Sequence, residues 1–187
     1  RFGLAPADIR RVVITHFHAD HISGLGLFPN ARFLASAGAW DAFRAASRLG
    51  NLHHGIFPEL LPKDFADRLD LIEATVGVHA PLFPQAAVGA PVGHDLLGDG
   101  SMLAVALPGH ADGHVGLVFA QLARPLLYAV DAQWLMAALP AARRPGFPSS
   151  LIAADRAALD RSAAVVDDFA RAGGEVVLCH DPAPTAY

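Results

Sequence analysis

Four groups able to bind protons and cations lie within six positions of this chain: His16, His18, Asp20 and His21, spaced His-x-His-x-Asp-His. They follow directly on the β-branched run Val12, Val13, Ile14 and Thr15, which reads as a short buried strand. With the chain's own His and Asp frequencies, chance would produce this pattern in about two of every thousand sequences of this length. Later residues of the same kind also fall at strand ends. His110 follows the strand-like residues 102–107, Asp131 follows 126–130, and His180 follows 175–178 and Cys179. Strand ends on one edge of a sheet are neighbours in space, so these seven side chains can converge. His and Asp suit a borderline divalent ion such as zinc. Seven ligands are too many for one four-coordinate ion and fit two, if one carboxylate bridges them.

The remaining sequence supports an α/β chain of one domain, residues 1–187. Hydrophobic residues make up 53% and charged ones 17%, enough apolar material for a sizeable core. The net charge of −4 offers no surplus to neutralise a phosphate backbone, so nucleic acid is not an expected partner. No apolar run is long enough to cross a membrane, and the single Cys179 excludes an internal disulfide. A helical lead-in precedes the first strand, and residues 32–35 read as a second. Ala39, Trp40, Phe43, Ala46 and Leu49 then recur at helical spacing until Gly50. Residues 50–92, rich in proline and carrying Phe57, Phe65 and Phe83, read as an insertion of loops and short helices beside the site entrance. Strands are expected at 102–107, 115–120 and 126–130, antiparallel in the middle of the chain. A Pro-rich connection at 140–148 then leads to an amphipathic helix beginning at Leu151 or Asp155. Gly173 and Gly174 end that helix, and residues 175–178 form the last strand.

Taken together, the motif at 15–21, the Pro108 to His114 segment, Asp131 and His180 resemble the metallo-β-lactamase superfamily of hydrolases, over residues 9–182. The resemblance implies an αββα sandwich with metals at one edge. It implies that His16, His18 and His110 hold a first metal, that Asp20, His21 and His180 hold a second, and that Asp131 bridges both. A bridging hydroxide would then attack a small ester or lactone carbonyl, with Asp20 passing the proton to the leaving group. Two divalent ions are the implied cofactors, zinc being the one this ligand set suits best. Family members normally begin with several strands before the histidine motif, and only about eleven residues precede the first strand here. The expectation is a chain that lacks or does not show its N-terminal strands, with an open sheet edge that leaves room for a homodimer. Arg1 in place of Met reads as a fragment, and with no signal peptide ahead of it a cytoplasmic location is expected.

Within the superfamily the chain looks most like the lactonase and esterase branch, with the organophosphate-hydrolase branch beside it. Phosphotriester or β-lactam hydrolysis on the same site is the alternative. Quorum-quenching lactonases place a tyrosine three residues after the bridging aspartate. Here Trp134 stands there, whose indole N–H donates but does not exchange a proton, so it is expected to wall the substrate pocket. His114 is expected to support the ligands from behind, Cys179 to be inert core, and His53, His54, His79 and His94 to lie at the surface or behind the site. Of other classes, a di-iron redox protein would put a carboxylate where His18 stands, and a non-catalytic metal-binding module would have lost ligands that this chain keeps. The expected partner is a small-molecule substrate.

Overall fold

The computed structural model describes residues 3–81, 83, 92–139 and 153–182. Two sheets form among them. The first is parallel, in the order β1 (Arg11–Val13), β2 (Arg32–Ala35), β3 (Leu69–Leu71). The second runs β4 (Gly77–His79), β5 (Val92–Asp95), β6 (Met102–Ala106), β7 (Val115–Phe119), β8 (Leu126–Val130), β9 (Glu175–Leu178). Its strands pair antiparallel except the last two, which are parallel. The helices are α1 (Ala19–Ile22), α2 (Ala37–Ala45), α3 (Arg48–His53) and α4 (Arg156–Arg171), and α4 lies on the crossover that a parallel β8–β9 pair requires.

Alternation along the strands sorts the core into layers. In β6, Leu103 and Val105 pack with Val166 and Phe169 of α4, whereas Ala104 turns to Leu34 of β2. In β8, Leu127 and Ala129 join the α4 side, and Tyr128 packs in the layer between the sheets. In β2, Phe33 and Ala35 face a third cluster that includes Ala39 and Trp40 of α2. The order is therefore helix, sheet, sheet, helix, the αββα arrangement that the resemblance implies. The Asp155 side chain caps α4 by accepting from the Ala158 N–H at 3.0 Å, and its buried stripe is Leu159, Ser162, Ala163, Val166 and Phe169.

Several sequence expectations need correction. The helical run from Ala39 breaks at Ala46, because Ser47 caps a new helix by accepting the Gly50 N–H. Gly50 therefore lies inside α3, and Leu49 is 78% exposed. Residues 50–92 are more than an insertion, since Leu69–Leu71 completes the first sheet and Gly77–His79 opens the second. Phe65 and Phe83 are buried in the cores instead of standing beside the site entrance. Phe65 stacks on Phe33 at 5.1 Å, and Phe83 lies 5.2 Å from Phe169 in the opposite core. The first strand is shorter than expected, Arg11–Val13. The Pro-rich 140–148 connection and Leu151 lie outside the described residues.

The loop between β6 and β7, which bears His110, is pinned by two helix N-termini. Gly109 approaches α4 so closely that a Cβ there would lie 2.0 Å from the Leu159 nitrogen, and its φ of +121° suits only glycine. The Ser162 hydroxyl donates to the Pro108 carbonyl at 2.6 Å, and the Asp155 N–H donates to the Gly109 carbonyl at 3.0 Å. On the other side Gly113, with φ +60°, presses on the start of α2, where the Ser36 hydroxyl donates to its carbonyl at 2.6 Å. Gly109→Ala is therefore expected to cost about 2–4 kcal/mol of stability in urea unfolding, from overpacking plus backbone strain. Gly26→Ala, with nothing within 4 Å of the added methyl, is expected to stay within about 1 kcal/mol of the parent.

Candidate metal centre

His16 and His18 lie just beyond β1, where the chain passes between the sheets. The Val115 N–H donates to the Thr15 carbonyl at 3.0 Å and fixes this segment against β7. The Thr15 hydroxyl lies 3.2 Å from His16 Nδ1. Assigning the ring proton to Nδ1 on that partner leaves the Nε2 lone pair facing inward. His16 Nε2 stands 3.1 Å from His18 Nδ1, and His110 Nε2 stands 2.9 Å from the same atom. One proton on His18 Nδ1 can serve only one of those two neighbours. A cation serves all three, and nitrogens about 2.0–2.1 Å from a tetrahedral zinc lie about 3.3 Å apart.

These rings are buried and neutral at ordinary pH. Burial, reinforced by the neighbouring imidazoles, pushes His16 far below its usual range. Burial likewise pulls His18 and His110 down to about 4, and the fully buried His114 to about 4. Neutral imidazole is the form that binds a metal.

Asp131 stands between two sets of ligands and is 2% exposed. Its Oδ2 lies 3.4 Å from His16 Nε2, 3.4 Å from His110 Nε2 and 3.0 Å from His21 Nε2, while Oδ1 lies 3.3 Å from His180 Nε2. Asp20 Oδ2 completes the outer set, 3.5 Å from His21 Nε2 and 3.6 Å from His180 Nε2. Burial raises the Asp131 carboxyl, but contact with His21 and the charges of His110, His21 and His180 outweigh it and hold it below the usual carboxylate range. His21 moves upward for the matching reason, the nearby Asp131 and Asp20 carboxylates overcoming its own burial. Asp131 Oδ1 and His21 Nε2 are nevertheless buried without a hydrogen bond in proper geometry. Such orphaned atoms in an all-His/Asp cluster fit divalent ions. The residues present therefore fit two sites: His16, His18 and His110 for one, Asp20, His21 and His180 for the other, with Asp131 between them.

Local backbone aims the central carboxylate. Val130, a buried β-branched residue, has φ +54°, and the β8–β9 register shifts between Tyr128 and Val130. This irregularity turns Asp131 out of the strand. His114 holds it from behind: Nδ1–H donates to the Leu107 carbonyl at 2.8 Å, and Nε2 accepts the Asp131 N–H at 3.4 Å.

The structure brings all seven sequence-predicted ligands together. Trp134 lines the same cleft, its ring 5.8 Å from that of His180. The cleft has a volume of about 430 Å³ and is lined by His18, Asp20, His110, Asp131, His180 and Trp134 together with Ala19, His54, Gly55 and Phe57. Two residues were misjudged in the sequence. Cys179 is exposed, not inert core, and its sulfur lies within 4.8 Å of the ligand atoms of His21, Asp131 and His180. His54, expected at the surface or behind the site, lines the cleft itself. Adjacency to His180 could have flagged Cys179; nothing in the spacing singles out His54.

The sequence profile of the metallo-β-lactamase superfamily matches residues 1–164. An N-acyl homoserine lactonase, AttM, of Azorhizobium caulinodans is 30% identical over 182 residues, covering 96% of this chain and 61% of that protein. The chain thus spans about 61% of the length of that curated relative. Among solved structures, AidC, a dizinc quorum-quenching lactonase in complex with a hexanoyl-homoserine product, superposes with TM-score 0.68 at 19% identity, covering 97% of this chain and 60% of that one. A probable metal-dependent hydrolase from Staphylococcus aureus superposes with TM-score 0.70 at 16% identity, covering 96% of this chain and 57% of that one.

The histidine burial predicts an acid-labile metal-free protein. His18, His110 and His114 take up a proton near 6.5 when unfolded and only near 4 when folded, so acid favours the unfolded chain. Their contribution is complete above pH 6.5 and falls as the pH drops towards 4. Thermal melts of metal-free protein should accordingly show a lower Tm at pH 5 than at pH 7.5; an equal or higher Tm at pH 5 would contradict the neutral, buried cluster.

Proposed function

The chain belongs to the metallo-β-lactamase superfamily, and from that premise we propose that it carries the active centre of a metal-dependent hydrolase that opens lactones, N-acyl homoserine lactones first among them. The observation that carries this reading is Asp131, a buried carboxylate within 3.4 Å of ligand atoms from both histidine sets. The lactonase relative and the lactonase neighbour in structure support the choice of substrate.

His16, His18 and His110 would hold one divalent ion and Asp20, His21 and His180 the other, zinc being the ion we assign. Two such ions supply a water acidic enough to ionise near neutral pH and polarise a carbonyl oxygen. The protein's own groups do the rest. Asp20, 60% exposed at the cleft wall, accepts one proton of the attacking water and returns it to the ring oxygen as the acyl C–O bond breaks. This leaves an alcohol and a carboxylic acid that releases the water's second proton to solvent. Trp134 walls the His180 side and excludes water from the bound ring. A cleft of about 430 Å³ falls within the range of small-molecule sites.

His18→Ala and Asp131→Ala test the reading. Each should lower bound metal below the roughly two ions expected per chain and cut hydrolysis of N-hexanoyl homoserine lactone by about 10³-fold or more, with circular dichroism unchanged. Wild-type activity in either variant would refute the site. Parallel assays with a p-nitrophenyl ester, a phosphotriester and a chromogenic β-lactam fix the substrate class, and a preference for either of the last two would overturn the lactone assignment.

A further inference from the structure

We infer that His54 is a substrate-contacting residue, whose imidazole N–H donates a hydrogen bond to the acyl oxygen of a substrate bound over the metal centre. The inference rests on the hydrolase reading above and adds a residue to it.

His54 stands at a junction. It lines the 430 Å³ cleft and also an adjoining chamber of about 40 Å³ walled by Phe17, Phe43 and Ile56; His18 and His110 are the other residues the two spaces share. His54 therefore borders the inner ligand set, while Trp134 lies against His180 of the outer set. The remaining polar side chains of the cleft are His18, Asp20, His110, Asp131 and His180, all committed to the metals. A substrate oxygen there meets two uncommitted donors, the indole of Trp134 and the imidazole of His54. Among the described residues the His54 ring makes no protein hydrogen bond, and the His53 ring lies 5.2 Å away.

Its position is fixed by backbone and buried side-chain contacts. Ser47 caps α3, and the buried Asn51 side chain donates to the Phe43 carbonyl at 3.1 Å, fastening α3 to α2. The Ile56 N–H donates to the Asn51 carbonyl at 2.9 Å. Gly55, at φ +70°, turns its carbonyl to accept the Ala19 N–H at 3.0 Å. That bond ties the His54–Gly55 turn to the first turn of α1, which bears Asp20 and His21. A donor carried on a backbone this firmly held, in the cleft that the inner ligands also line, strengthens its bond as the acyl oxygen gains negative charge.

The test uses zinc-loaded protein with ¹⁵N-labelled histidine, titrated with N-hexanoyl homoserine, the ring-opened product. The His54 ring resonances, identified by their absence in His54→Ala, should shift on binding. His54→Ala should retain its metal and lose about 10- to 100-fold in kcat/KM, with His54→Gln, which keeps a donor, recovering part of the loss. Product binding that shifts other histidines and leaves His54 unmoved overturns this inference alone. A titration that moves no histidine overturns the hydrolase reading and this inference together.

Discussion

The rest of the molecule is arranged around one buried carboxylate. Asp131, 2% exposed, sits where an isolated negative charge would cost several kcal/mol in lost hydration. Four imidazoles, from His16, His21, His110 and His180, approach it within 3.4 Å, and two of its neighbours come from the segment after β1. The carboxylate thus joins imidazoles carried by segments of both sheets. The backbone concedes strain to place it there: a buried valine takes a left-handed conformation one residue earlier, in the class of distortions worth about 1–3 kcal/mol.

Placement of the ligands follows from the layers. Strand ends on one edge of the sandwich deliver His16, His18, Asp131 and His180, while α1 delivers Asp20 and His21 and the β6–β7 loop delivers His110. The His110 loop would be the loosest of these, and it is the one most firmly clamped. Gly109 admits the start of α4 and Gly113 the start of α2, so the two outer helices position an inner ligand as well as cover the sheets. His114 closes the arrangement by linking the Leu107 carbonyl to the Asp131 amide through one ring.

The convergence of these seven side chains was legible in the sequence because each is a His or Asp at or soon after the end of an apolar strand run, and such places lie along one edge of the sheets. Four strands of the second sheet, β6 to β9, were legible from their own apolar runs, with Leu126–Val130 and Glu175–Leu178 read to the residue, whereas β4 and β5 were not. Residues 50–92 were not. Leu69–Leu71 is a three-residue strand whose place is fixed by pairing with β2, and no local periodicity announces so short an element. Leu49 kept helical spacing yet ended exposed, because the Ser47 cap restarts the helix in a new direction. His54 escaped notice because its place in the cleft comes from tertiary proximity, which spacing along the chain does not encode.

Anomalous X-ray diffraction from crystals of the zinc-loaded protein tests the central claim most directly. The account predicts two peaks, one among His16, His18 and His110, the other among Asp20, His21 and His180, with the Asp131 carboxylate touching both. A single peak, or two that leave Asp131 without a metal contact, would contradict it.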